Sequence, residues 1–121
     1  MTEKILKFLE ERQPDTPCLV VDLDVVAARY NDLASSLPGA DIYYAMKANP
    51  AREIVNLLNT LGAYFDTASI YEIEACLDLG VCANRIAFGN TVKKHRDIVR
   101  ARQYGIRLFA FDSRAELAKL A

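Results

Sequence analysis

Short apolar runs alternate with longer amphipathic stretches along most of this chain. In the clearest run, Ile42 to Met46, five apolar residues follow one another, which is typical of a strand covered on both faces in a parallel sheet. Similar runs predict strands at residues 63–66, 85–88 and 107–111, and the stretches between them have the spacing of amphipathic helices. The pattern therefore predicts four strand–helix units over residues 41–121, and with them an α/β fold.

Residues 1–40 carry a different pattern and are expected to form a separate N-terminal part. In chain order, the sequence predicts an amphipathic helix over residues 4–12, a break at Gln13–Pro17, a strand at Cys18–Asp22, and a helix from Val25 to about Leu37. Asp24 is the expected N-cap of the second helix, which Pro38 and Gly39 end. The chain is thus expected to reach the sheet through a helix, a strand and a connecting helix.

Start signals for helices follow the predicted strands. Asn49 is the expected N-cap of the first of these helices, with Pro50 at its first helical position. The sequences Ser69–Glu72 and Ser113–Glu116 match capping boxes, in which a serine and a glutamate satisfy the free N–H groups of a helix start. Another helix is expected from about Thr91 through Gln103.

Polar residues end the four predicted strands: Lys47, Asp66, Asn90 and Asp112. In parallel sheets these ends lie at one edge, where α/β barrels carry their active sites. An open doubly wound sheet and a (β/α)₈ barrel both satisfy the pattern, but no GxGxxG follows any strand, which disfavours a dinucleotide-binding domain. A closed barrel needs about 250 residues, so residues 41–121 are expected to form a partial barrel, truncated before closure. An isolated four-stranded domain is the alternative.

Lys47 is the first candidate for chemistry. A lysine at the end of a strand, partly removed from water, can act as a nucleophile or form a Schiff base. Side-chain alternation places Tyr43, Ala45 and Lys47 on one face, and the small Ala45 leaves room for a flat ligand. Asp66, at the end of the next strand, could keep the lysine cationic. Two simpler interpretations remain open, namely that Lys47 is a solvated loop residue and that Asp66 only caps the turn that follows it.

The segment Tyr43–Pro50, with the sequence YYAMKANP, resembles the cofactor-lysine segment of the fold-type III pyridoxal-phosphate decarboxylases, which act on ornithine, lysine, diaminopimelate or arginine. Phe65–Ser69 resembles the family's second-strand motif, whose aspartate lies beside the cofactor. Phe88–Lys94 and Phe109–Ser113 resemble the segments at the third and fourth barrel strands. Leu19–Asp24 is similar to the N-terminal strand, which packs in the family's second, β-rich domain. The resemblance is strongest to the ornithine/lysine branch.

This resemblance implies the first half of a pyridoxal-phosphate-binding (β/α)₈ barrel, about four βα units, preceded by a short helix and strand. It implies Lys47 as the catalytic, cofactor-bound lysine, with Asp66 and Ala45 beside the cofactor. The implied reaction is decarboxylation of ornithine or lysine to a diamine and CO₂, in polyamine biosynthesis, by a homodimer. A diaminopimelate or carboxynorspermidine decarboxylase and a non-catalytic relative are the alternatives. The family's phosphate loop and stacking histidine have no counterpart here, so these residues alone are expected to be an incomplete enzyme.

Composition narrows the range of partners. The formal net charge is −1, and no apolar run is long enough to span a bilayer, so neither nucleic acid nor a membrane is an expected partner. The single histidine, His95, lies within the basic run Lys93–Arg96, which is expected to be a solvated helix face. The three cysteines have no CxxC spacing, so we expect no metal site and a reduced, cytoplasmic protein, with Cys18 and Cys76 buried.

Overall fold

The computed structural model describes residues 1–121 and contains six α-helices and four strands. The helices are α1 (Glu3–Arg12), α2 (Leu23–Ser36), α3 (Arg52–Thr60), α4 (Ile70–Asp78), α5 (His95–Gln103) and α6 (Arg114–Leu120). The strands are β1 (Tyr43–Ala45), β2 (Tyr64–Thr67), β3 (Ile86–Phe88) and β4 (Leu108–Phe109). A 3₁₀ turn at Ala83–Arg85 precedes β3. None of the helices has both the length and the apolar character needed to cross a membrane.

The four strands form one parallel sheet in the order β1–β2–β3–β4, which confirms the predicted strand–helix units. Each strand pairs with the next one along the chain, so the order never reverses as it does in a doubly wound sheet. Of the two architectures that the sequence left open, the observed order is that of a barrel. All four strand ends therefore lie at one edge of the sheet.

One face of the sheet carries the hydrophobic core. Phe65, Ile86 and Phe88 point to this face and are almost fully buried. The apolar sides of the helices cover them with Ile54, Val55 and Leu58 from α3, Ile70, Ile73 and Cys76 from α4, and Ala101 from α5. Burying a side chain of this size contributes about 1.5–3 kcal/mol, so this layer of contacts holds the strands in register.

The opposite side of the sheet, which we call the open face, carries Tyr43, Tyr64, Asp66, Ala87 and Leu108. Register pairs Tyr43 with Tyr64, and their rings lie 5.0 Å apart. Leu108, on the edge strand β4, pairs with Ala87 and is 52% exposed. No helix of the chain covers this face, and in a closed barrel it would be the interior.

The strand expected at Cys18–Asp22 is absent. This segment is extended, but none of its backbone groups pairs with a neighbouring strand, because no strand of the chain runs beside it. Leu19 is 82% exposed, and Cys18 is exposed as well, contrary to the expectation that it is buried. An apolar run predicts that a segment can form a strand, but a strand also needs a neighbouring strand to accept and donate its backbone hydrogen bonds.

The N-caps of α2 and α3 differ from those predicted, and α5 begins at His95 instead of about Thr91. Asp22, not Asp24, caps α2, because its Oδ1 accepts a hydrogen bond from the backbone N–H of Asp24 at 3.1 Å. The hydroxyl of Thr2 donates to the other oxygen of Asp22 at 2.8 Å, and this bond lowers the pKa of the Asp22 carboxyl. Asn49 does not cap α3. Its side chain accepts from the N–H of Ala51 at 3.1 Å and shapes the turn before the helix.

The capping boxes are confirmed only in their serine half. Ser69 accepts from the N–H of Glu72, and Ser113 accepts from the N–H of Glu116. The two glutamates bind elsewhere, Glu72 to the N–H of Ala68 at 2.6 Å and Glu116 to the N–H of Lys93 at 3.0 Å and to Lys119 of its own helix. Both carboxylates thereby bind backbone N–H groups of the loops that follow the strands.

Candidate active site

A cavity of about 220 Å³ opens at the carboxyl ends of β1, β2 and β3. Its lining residues come from the three loops that follow these strands and from the start of α4: Lys47, Asp66, Thr67, Ala68, Glu72, Gly89, Asn90 and Thr91. The structure thus brings together three of the four polar strand-end residues predicted from the sequence. The fourth, Asp112, is exposed and does not line the cavity.

Lys47 stands on a turn that its neighbours hold firmly. The ladder between β1 and β2 continues through the N–H of Met46, which donates to the carbonyl of Asp66 at 3.0 Å. The chain then turns, with the N–H of Ala48 donating to the carbonyl of Ala45, and the hydroxyl of Tyr44 donates to the carbonyl of Asn49. The backbone at Lys47 is therefore fixed, whereas its side chain is exposed and forms no salt bridge.

Asp66 is half-buried and lies directly against Gly89. A Cβ atom added at residue 89 would lie 1.8 Å from the Oδ1 of Asp66, far inside any allowed contact. Asp66 therefore depends on a glycine after β3, a requirement that sequence analysis missed although the glycine follows the strand directly. Ser69, not Asp66, supplies the cap of α4, and the carboxylate of Asp66 lines the cavity.

Ala45 pairs with Asp66 across β1 and β2 and lies on the same face of the sheet. It does not line the cavity but a neighbouring apolar pocket, together with Tyr43 and Tyr44. Tyr43 lies one step further along that face. Any ligand that touches both Lys47 and Ala45 must therefore extend from the cavity over the open face.

Two carboxylates face the single lysine in this cavity. Asp66 was predicted from the sequence, whereas Glu72 was predicted only as half of a capping box and instead lines the cavity wall. Thr67 is fully engaged, since its buried hydroxyl donates to the carbonyl of Ala87 at 2.7 Å. The charged groups that a ligand in this cavity would meet are thus an exposed amine and two carboxylates, one of which, Glu72, already accepts from the N–H of Ala68.

The basic run Lys93–Arg96 is not a uniform solvated face, as the sequence had suggested. His95 is exposed, as predicted, but the side chain of Lys93 is completely buried and pairs with Glu116 at 2.9 Å. Cys76 is buried in the core as predicted, and burial raises the pKa of its thiol to about 12. Neither Lys93 nor Cys76 can reach the cavity itself.

The parallel sheet thus places an exposed lysine after β1 and a carboxylate at the end of β2 in one cavity. An unpaired amine is the group with which proteins bind carbonyl carbons. The pyridoxal-binding domain of the pyridoxal-dependent decarboxylases matches residues 23–121, and the chain belongs to this family. Membership confirms the resemblance noted from the sequence, together with pyridoxal phosphate as the cofactor. The strands and helices from β1 to α6 are accordingly the first four βα units of the family's barrel.

Relatives with known structures have the same fold over this length. The lysine/ornithine decarboxylase of Selenomonas ruminantium is 43% identical over 121 residues, which are 100% of this chain and 30% of that protein. A crystal structure of lysine decarboxylase from Selenomonas ruminantium matches with a TM-score of 0.88 at 42% identity, over 100% of this chain and 33% of that one. Lysine/ornithine decarboxylase from Vibrio vulnificus, complexed with putrescine, matches with a TM-score of 0.85 at 33% identity, over 96% and 31%. The chain thus spans about a third of the length of these relatives.

The residues of the cavity fit one end of pyridoxal phosphate. The amine of Lys47 is exposed and unpaired, as binding of an aldehyde requires, and Gly89 keeps the neighbouring wall clear. Lys47 is also the only basic residue among the eight that line the cavity, where Asp66 and Glu72 would repel a phosphate. These residues can therefore hold the aldehyde end of the cofactor, whereas its phosphate needs other groups.

Proposed function

We propose that Lys47 is the residue to which pyridoxal phosphate attaches, and that the protein decarboxylates lysine or ornithine to a diamine and CO₂. The observation that carries this proposal is the exposed, unpaired amine of Lys47, held on a fixed turn in one cavity with Asp66, in a chain of the pyridoxal-dependent decarboxylase family. When bound, the cofactor supplies a pyridine ring that takes up the electron pair released as the substrate's carboxylate leaves.

Each residue of the cavity has a separate task in this proposal. The Nζ of Lys47 must give up a proton before it can bind a carbonyl carbon, and Asp66 and Glu72 are the carboxylates beside it that can accept one. Gly89 leaves the space that the carboxylate of Asp66 occupies. Ala45, which pairs with Asp66 on the open face, has only a methyl group and leaves room for a flat ring.

The substrate is proposed to be a basic amino acid because the carboxylates of the cavity favour a cationic ligand and because the related enzymes are named for lysine and ornithine. Diaminopimelate carries the same kind of ammonium group and is the alternative substrate. We further propose that the protein works as a cytoplasmic homodimer in polyamine biosynthesis, as the family resemblance implies.

Attachment of the cofactor can be tested by borohydride reduction of the purified chain with pyridoxal phosphate, followed by peptide mass mapping. We expect one reduced adduct, on the peptide that contains Lys47, and its loss in Lys47→Ala. Lys94→Ala is the matched control, because Lys94 is another exposed lysine on a loop that follows a strand. Labelling scattered over several lysines, or confined to a lysine other than Lys47, would contradict the proposal.

Decarboxylation can be tested in a chimera, since the chain spans only part of its relatives. The 121 residues replace the matching segment of the Selenomonas ruminantium lysine/ornithine decarboxylase, and CO₂ release from lysine, ornithine and diaminopimelate is measured. We expect release from lysine or ornithine that falls by roughly 10³-fold or more in Lys47→Ala. A folded chimera that binds pyridoxal phosphate but releases no CO₂ would instead identify a non-catalytic relative.

A further inference from the structure

Lys93 is the most completely buried charged side chain in the molecule, with 0% of the side chain exposed. It follows β3 by a few residues and lies behind the cavity wall, not within the cavity. A buried ammonium is strongly unfavourable unless all its hydrogens are bound and its charge is balanced. The contacts of Lys93 must therefore offset the cost of burying its charge.

All three hydrogens of the Lys93 ammonium have acceptors. The Nζ donates to the carbonyl of Asn90 at 2.8 Å and to the carbonyl of Ala110 at 2.6 Å, and it lies 2.9 Å from the Oε1 of Glu116. The ring of Phe88 lies beneath it, with 5.6 Å between Nζ and the ring centroid. One side chain thereby ties the loop after β3 to the loop after β4 and to α6.

The backbone of Lys93 is held from the same side. Its N–H donates to the Oε1 of Glu116 at 3.0 Å, and its carbonyl accepts from the Nζ of Lys119 at 2.5 Å. Lys119 also pairs with the second oxygen of Glu116. Glu116 and Lys119 of α6 therefore bind both backbone polar groups of Lys93, and these bonds hold the loop against the helix.

This loop is one wall of the cavity. Gly89, Asn90 and Thr91 line it, and the carbonyl that Lys93 binds belongs to Asn90. At its start, the N–H of Gly89 donates to the carbonyl of Thr67 at 2.8 Å. Because Gly89 touches Asp66, any displacement of the loop displaces the neighbour of that carboxylate.

We propose that Lys93 is a positioning residue for the cofactor site: through Asn90 and Gly89 it sets the wall against which Asp66 and the cofactor bound at Lys47 are held. The proposal rests on the proposed function of Lys47. Lys93 itself contacts neither the cofactor nor the substrate. Its effect is on geometry, since a small displacement of a site wall is enough to weaken binding.

The test compares two cationic hydrogen-bond anchors at opposite ends of the sheet, the fully buried Lys93 and the half-buried Arg85. Lys93→Met removes the anchor at the carboxyl ends of the strands. Arg85→Met is the matched control, because the guanidinium of Arg85 binds the carbonyls of Asn59 and Ala63 at the amino ends of β2 and β3, away from the cavity. Each variant is made in the chimera with the Selenomonas ruminantium enzyme, which supplies the remaining length of the relatives. For each purified chimera, the dissociation constant of pyridoxal phosphate is measured by absorbance titration, together with the spectrum at saturation and the thermal midpoint.

We expect Lys93→Met to raise the dissociation constant roughly tenfold or more and to shift the absorbance maximum of the bound cofactor. Arg85→Met is expected to lower the thermal midpoint while leaving affinity and spectrum unchanged. If Lys93→Met does not fold, Glu116→Gln serves in its place, because it keeps an acceptor for the N–H of Lys93 and removes the balancing charge. Glu116→Gln should likewise raise the dissociation constant of pyridoxal phosphate.

Equal affinity and an unchanged spectrum in the Lys93→Met chain, or in the Glu116→Gln chain that replaces it, would overturn the positioning role. An equal loss of affinity in Arg85→Met would overturn it too, since general destabilisation would then explain the result. If the unchanged chain forms no adduct at Lys47, the proposed function itself fails and the positioning role with it. An adduct at Lys47 combined with an inert Lys93 would remove only the positioning role.

Discussion

At the scale of single residues, the site depends on a glycine as much as on its charged groups. Lys47 and Asp66 could be identified from the sequence because each follows an apolar run, and the structure places both in one cavity. Lys93 could not, because four basic residues in succession have the composition of a solvated face. Its partner, Glu116, lies 23 residues further along the chain, and only the fold brings the two together.

Gly89→Ala should damage the site more than the fold. The new methyl group would collide with the Oδ1 of Asp66, whose half-buried side chain must rotate away, at a cost of about 1 kcal/mol or more in the free energy of unfolding. We expect the reduced adduct at Lys47 to be lost or strongly diminished under conditions that label the unchanged chain fully, as measured by peptide mapping.

Gly80→Ala provides the comparison for this variant. Gly80 has a φ of +77° and no atom within 4 Å of an added Cβ, so the substitution costs about 1 kcal/mol through backbone strain alone. Its labelling at Lys47 should equal that of the unchanged chain. If both glycine variants label equally well, Gly89 has no special role beside Asp66.

At the scale of elements, every helix predicted from periodicity exists, and so do the four strands of the sheet. The starts of α2, α3 and α5 were misplaced, because side chains that can cap a helix can also shape the turn before it. At α3, Asn49 does the latter. At α5, residues that could have been helical are held in the loop by Lys93 and Glu116. Local sequence does not distinguish these outcomes, since the deciding partner lies elsewhere in the chain.

The link between α6 and the loop after β3 should depend on pH. Hydrogen bonds from Lys119 and Lys93 lower the pKa of Glu116 below its ordinary value of 4.5, despite the opposing effect of burial. A carboxyl whose pKa is lowered by folding stabilises the native state fully above its unfolded pKa, and this contribution is lost as the pH falls through the folded pKa. We therefore expect the free energy of unfolding of Glu116→Gln to lie below that of the unchanged chain at pH 7, with the gap closing below about pH 4.5.

Chemical denaturation between pH 7 and pH 3 measures this gap. Glu10→Gln is a suitable reference, because Glu10 is exposed on α1 and forms no ion pair. A gap for Glu116→Gln that is the same at both ends of the pH range would mean that the carboxylate charge does not support the loop.

At the scale of the whole molecule, the apolar pattern predicted parallel strands but left two architectures open. The order β1–β2–β3–β4 distinguishes them, because a sheet that never reverses its order curves toward closure instead of spreading to both sides. The pattern also suggested a strand at Cys18–Asp22, where the structure has only an extended segment. The strands of a sheet come from separate parts of the chain. The apolar pattern of one segment therefore cannot predict whether a second strand lies beside it to pair with.

The position of α6 has a consequence for the order in which the site can be completed. Lys47 and Asp66 emerge from the ribosome well before Glu116 and Lys119. Until α6 has formed, the ammonium of Lys93 has no carboxylate to bind and will stay in water, because burial of an unpaired charge is too costly. During synthesis this wall of the cavity therefore forms after the lysine and the aspartate that it supports have been made.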